Sequence, residues 1–126
     1  MLEITSKSEI IEYLEKIKNR IVSEVSPEQI YLFGSYAKNN YNNESDIDLL
    51  IVMNNNDKSL RKIQHKISSL LDDRTMPIDI IVYSQEKMKN RKDIIGTLPY
   101  RINQEGELIY EKERKDKSKQ RMVEKS

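Results

Sequence analysis

Asp46 and Asp48 stand one residue apart at the mouth of an apolar run, Leu49-Leu50-Ile51-Val52, and a Gly-Ser pair, Gly34-Ser35, lies ahead of them. Asp is disfavoured inside strands. A charge beside a core is costly unless it is paired or binds a metal. An i, i+2 pair on a strand sends both side chains to the same face. Two carboxylates side by side repel, and a divalent cation relieves that repulsion. Mg²⁺ is a hard ion that takes oxygen ligands, typically a few carboxylates together with substrate phosphates. Gly34-Ser35 suits the phosphate end of such a site. Glycine lets a backbone approach closely, and amides at a helix start point at an anion. The ordinary alternatives are a solvated strand entrance for the acids and a tight turn for Gly34-Ser35.

These residues need a frame. Ser6 or Ser8 can cap a first helix, with Ile10, Ile11, Leu14, Ile17, Ile21 and Val22 at helical spacing. Ser26-Pro27 ends it. Gln29 to Phe33 reads as a short strand, Gly34 to Ala37 as a turn opening into a brief helix, and Lys38 to Ser45 as an Asn-rich loop. Ile47 to Met53 is apolar on both faces, which predicts a central strand covered on both sides. Asn54 to Asp57 is a turn with a good cap, leading to a helix with Leu60, Ile63, Ile67, Leu70 and Leu71 inward. Pro77 precedes a third strand, Ile78 to Tyr83, with Asp79 near its start. If the second strand pairs with the third, Asp79 stands beside Asp48, but sequence does not set register. Ser84 can cap a short charged helix to about Arg91, Thr97 to Asn103 a further turn, and Gly106 breaks it before a final strand, Glu107 to Tyr110. The expected class is α/β, a small mixed sheet with helices packed against it.

The whole chain narrows the function. Its 126 residues make one domain of modest core, with 34% charged and 37% hydrophobic residues. There is no Cys, hence no disulfide framework and no thiolate metal site. No apolar run reaches membrane-span length, no signal-peptide layout opens the chain, and a cytoplasmic protein is expected. A net charge of +1 argues against binding nucleic acid over the whole surface. From Glu111 to Ser126, seven Lys/Arg against four Asp/Glu give +3, which leaves −2 for the rest. The expected division is a domain over 1–110 and a charged, basic, frayed or disordered tail over 111–126. His65, the single His, falls off its helix's apolar stripe and reads as a surface residue. Tyr36 reads as a packing residue. Lys38 is open between a phosphate contact and a surface lysine.

Phe33-Gly34-Ser35, ten residues from Tyr36 to Ser45, then Asp46-Ile47-Asp48 and the run Leu49 to Val52 resemble the DNA polymerase β-like nucleotidyltransferase superfamily, and most of all its minimal nucleotidyltransferase (MNT) type. The resemblance covers about residues 8 to 110. It implies a polymerase β palm-like fold and a third carboxylate on a later strand, which Asp79 matches. Ser45 also matches the minimal members. These often have Arg-Gly after the residue that is Ala37 here, where this chain has Lys38-Asn39. The cation is kept and the bidentate fork of Arg is lost.

The activity implied is transfer of a nucleoside monophosphate, AMP first, from a nucleoside triphosphate such as ATP to an acceptor hydroxyl. Asp46, Asp48 and Asp79 are then the catalytic and metal-holding acids, with two Mg²⁺ ions, replaceable by Mn²⁺. Gly34, Ser35, Lys38 and Ser45 are the expected nucleotide-binding residues. Minimal members often pair with a small HEPN-type helical protein, and several act as antitoxins by placing AMP on a tyrosine of that toxin. The rival expectations are a non-catalytic antitoxin module with a vestigial site, and a nucleotidyltransferase acting on RNA or a small molecule. Nucleic acid is the less favoured partner.

Overall fold

In the computed structural model the described residues are 7–38, 46–54, 59–71 and 77–113. Helix α1 (Lys7–Val25) buries Ile10, Ile17 and Ile21 of the positions at helical spacing, half-buries Leu14 and Val22, and leaves Ile11 exposed. It stops because Ser26 turns left-handed at φ 49° and donates its N–H to Val22 O at 3.1 Å, and Pro27 follows. Strand β1 (Gln29–Phe33) pairs antiparallel with β2 (Ile47–Met53). After β2, helix α2 (Leu60–Leu70) crosses over and β3 (Ile78–Ser84) returns parallel to β2. Helices α3 (Gln85–Arg91) and α4 (Leu98–Glu105) follow, and β4 (Glu107–Glu111) pairs antiparallel with β1. The four-stranded mixed sheet has the order β3-β2-β1-β4.

Helices cover both sheet faces. On one, Ile47, Leu49, Ile51, Met53, Ile78, Ile80 and Val82 pack with Ile10, Ile17, Ile21 and Ile67 of α1 and α2. On the other, Phe33, Leu50 and Val52 pack against Ile102 of α4 and Met88 of α3. Full burial of each such side chain is worth about 1.5–3 kcal/mol. The expected central, doubly covered β2 is therefore found. Tyr36 joins the first of these clusters as a packing residue, and His65 is exposed. Among the described residues no helix is long and apolar enough to cross a membrane.

Three expectations need correction. The cap of α2 is Ser59, whose side chain accepts from Lys62 N–H, and not a residue of Asn54 to Asp57. Only Asn54 of that stretch is described. The final strand also ends one residue later than Tyr110. Glu111 ends β4 and accepts from Gln29 Nε2 at 3.1 Å, while Lys112 donates its N–H to Glu28 O at 2.9 Å. The Lys112–Glu28 backbone bond carries the pairing of β4 with β1 past residue 110; the remainder of the tail, 114–126, lies outside the described residues. Finally, Asp46 is not on a strand: β2 begins at Ile47.

Candidate active site

The acids gather at one end of the sheet because of two pairings. Parallel register sets Asp48 of β2 opposite Asp79 of β3, and antiparallel register sets Asp48 opposite Phe33 of β1. Neighbouring strands run roughly 5 Å apart. Alternation points Asp48 and Asp79 to the face covered by α3 and α4, away from Ile47 and Ile78. Asp46 precedes the strand. Asp46 and Asp79 are exposed and Asp48 is half-buried.

The turn after β1 closes onto Asp48. Gly34 has φ +80°, a conformation that side chains rarely adopt, and a Cβ there would overlap Asp48 Oδ2. Only glycine lets the backbone pass so close to that carboxylate. Lys38 N–H donates to Gly34 O at 3.2 Å, which folds residues 34–38 into one compact turn carrying Ser35. The turn is not followed by a helix among the described residues. Ser45 lies outside them.

Burial raises the Asp48 carboxyl above the ordinary carboxylate range, the charges of Asp79 and then Asp46 raise it further, and Arg101 of α4 opposes them. The repulsion expected at Asp48 from Asp46 is the lesser of two, because Asp79 acts on that carboxyl more strongly. Among the described residues no three His, Cys, Asp or Glu side chains stand close enough to enclose a metal ion by themselves. The donors still fit Mg²⁺. All are carboxylate oxygens, two are held opposite each other, and Mg²⁺ usually takes one or two carboxylates and completes its shell with water and phosphate oxygens.

Cations come from elsewhere in the chain. Lys38 Nζ lies 3.1 Å from Glu105 Oε1 at the end of α4, and Arg101 Nε lies 3.9 Å from the same oxygen. Sequence reasoning missed Arg101 and Glu105. Their i, i+4 spacing ahead of Gly106 was visible, but nothing local shows that α4 packs beside β1 and reaches the acids. Helix α4 is held there by Ile102, which packs on Phe33, Leu50 and Val52, and it is capped at both ends. Thr97 Oγ1 accepts from Tyr100 N–H at 3.2 Å, and Gly106 N–H donates to Ile102 O at 2.8 Å. A cavity of about 430 Å³ between α3, α4 and the opposite end of β1 includes none of the three acids. The three acids lie at the other, exposed end of the sheet instead.

The arrangement joins paired carboxylates, a glycine turn and two cations, a set suited to a metal-bound polyphosphate. The nucleotidyltransferase domain family matches residues 14–101. A protein of Methanocaldococcus jannaschii, provisionally named a protein adenylyltransferase, is 32% identical over 101 residues, 80% of this chain and 94% of that protein. A second protein from the same organism with the same provisional name is 32% identical over 76 residues, 59% of this chain and 75% of its own length. The fold resembles a crystal structure of a provisionally named nucleotidyltransferase from Sulfolobus solfataricus, with a TM-score of 0.52, 24% identity, and coverage of 87% and 93% of the two chains. It also resembles a chain of a toxin–antitoxin complex crystallised with AMP-PNP, with a TM-score of 0.53, 17% identity, and coverage of 88% and 86%.

Proposed function

As a member of the nucleotidyltransferase domain family, in its minimal form, this chain is a nucleotidyltransferase, and we propose that it transfers the AMP moiety of ATP to a hydroxyl of a partner protein. The observation that carries the reading is the alignment of Asp48 with Asp79 in register, with the Gly34 turn closed on Asp48. In the reaction the acceptor oxygen bonds to the α-phosphorus. The bond from that phosphorus to the bridging oxygen breaks, and pyrophosphate leaves. Asp79 takes the acceptor's proton, a role typically worth about 10²–10⁴-fold. Backbone amides of the turn and the Ser35 hydroxyl bind the β- and γ-phosphates, with Lys38 beside them. Asp46, Asp48 and Asp79 would hold Mg²⁺, which supplies neutralisation of phosphate charge and a more acidic acceptor hydroxyl. Positioning and electrostatics supply most of the rate, as in phosphoryl transfer generally.

A protein acceptor is supported by the provisional names of the two Methanocaldococcus relatives. ATP as donor and a toxin as partner are supported by the complex with AMP-PNP. By the resemblance, the acceptor is a tyrosine of a HEPN-type helical toxin and the setting is the cytoplasm. Exposed Asp46 and Asp79 suit this, because a partner can present its hydroxyl directly to them.

The test is co-purification of the chain's partner from native cells, followed by incubation of the pair with Mg²⁺ and ATP labelled at its α-phosphate. Label on a partner tyrosine, lost with Asp48→Asn, is the expected result. A partner neutralised equally well by the Asp46→Asn/Asp48→Asn/Asp79→Asn protein, and never labelled, would make the chain a masking module instead. Label on RNA ends would make nucleic acid the acceptor.

A further inference from the structure

One carboxylate holds two cations beside the acids. Lys38 leaves the turn after β1, and Arg101 sits one helical turn before Glu105 on α4. Both reach Glu105 Oε1, at 3.1 and 3.9 Å. The three side chains are 46%, 53% and 40% exposed, in the order Lys38, Arg101, Glu105. Exposed ion pairs of this kind add little to stability. Glu105 is also the last residue of α4, where the negative end of the helix dipole disfavours an acid. Stability therefore gives little reason for a carboxylate at this place. Lys38 closes the turn whose Gly34 abuts Asp48, so the two cations on Glu105 adjoin the acid cluster instead of lying apart from it.

Two cations that converge on one oxygen, in water and next to a metal-type acid cluster, match an oxyanion of a polyphosphate. Resting on the nucleotidyltransferase reading above, we propose that Lys38 and Arg101 together grip the triphosphate, and that Glu105 occupies their grip until nucleotide arrives. Glu105 is then an internal competitor that sets affinity for the donor. Arg101 supplies from α4 the guanidinium that the Lys38-Asn39 pair does not provide, with its planar fork for phosphate oxygens. When nucleotide enters, the Glu105 carboxylate swings into solvent, and its freedom at the exposed helix end makes that change small.

The test is calorimetry on the full chain with Mg²⁺, using ATP, inorganic tripolyphosphate and adenosine as separate probes. Glu105→Gln and Glu105→Ala should each tighten ATP and tripolyphosphate by about two- to fivefold, the range of an exposed ion pair. Arg101→Gln should weaken both by about tenfold or more. Adenosine binding should be unchanged in every variant. The gain from Glu105→Gln should vanish in a Lys38→Gln/Arg101→Gln background, because a competitor matters only while its targets remain. ATP bound by the wild type and equally by both Glu105 variants overturns the clamp and leaves the nucleotidyltransferase reading standing. A wild type that binds no ATP with Mg²⁺ present overturns both.

Discussion

The two faces of the β2–β3 pair are made by the same strands and do opposite work. On one, Ile47/Ile78, Leu49/Ile80 and Ile51/Val82 stand in register and are buried against α1 and α2. On the other, Leu50 and Val52 are equally buried under α3 and α4, but the first rung of the ladder is Asp48/Asp79. One change of residue type, at the entrance of both strands and on one face only, sets two carboxylates side by side at a sheet end. The core face holds the strands rigidly. The pairing of β2 with β3 keeps the two acids opposite each other.

The largest effect should separate the faces. Asp79→Asn should lower transfer by about 10²–10⁴-fold, the usual worth of a general base, yet leave the denaturation midpoint close to wild type because the residue is exposed. Ile51→Ala, fully buried on the other face, should cost about 2–5 kcal/mol of stability in urea unfolding. A destabilised, active Asp79→Asn protein would erase the contrast.

A smaller effect compares two glycines in the left-handed region. Gly34→Ala meets Asp48, whereas Gly96→Ala meets nothing within 4 Å. Both should lose about 1–2 kcal/mol from the backbone alone. Only Gly34→Ala should also weaken ATP binding in calorimetry, by at least about tenfold, the equivalent of one lost charged hydrogen bond. Equal losses of binding in the two variants would detach the turn from the site.

The smallest effect sharpens the electrostatics. The folded state raises the Asp48 carboxyl above its ordinary value of 3.8, so it binds that proton more tightly than the unfolded chain does. Stability from this group is greatest below 3.8 and falls as pH rises through the raised value. At pH 7 in EDTA, Asp48→Asn should therefore melt slightly above wild type, by at most about 3 °C given solvent screening. The difference should close towards pH 3.8 in thermal melts monitored by circular dichroism. A lower melting temperature for Asp48→Asn at pH 7 would show that the repulsion is already compensated.

Much of the fold was legible because its signals are local. Helical spacing marked α1, an apolar run marked β2, and Ser84 caps α3 as expected, accepting from Lys87; Thr97, expected only as part of a helical turn, caps α4. The errors were at boundaries. Ser59 and not the preceding turn caps α2, and β4 extends to Glu111, because the final choice among neighbouring polar residues depends on which backbone groups a packed neighbour leaves unmet. At the candidate site, Gly34, Asp46 and Asp48 stood out by residue type and spacing, and Asp79 through the resemblance to nucleotidyltransferases. Arg101 and Glu105 were not, because an Arg-x-x-x-Glu pair on a short helix is an ordinary solvated pattern until something is placed beside it.

The sequence by itself determined which residues share a face, since side-chain alternation is a property of one strand; that position 34 admits only glycine depends on Asp48 of the neighbouring strand. It also determined the family, through a short pattern read along the chain. Only the tertiary structure decided that β2 and β3 pair parallel with Asp48 against Asp79, and that α4 lays Arg101 and Glu105 against the turn of Lys38. A one-residue slip would preserve every local preference within each strand and still bring Ile78 or Ile80 to Asp48. Register is chosen by the sum of contacts across the whole core, and no single segment contains that sum.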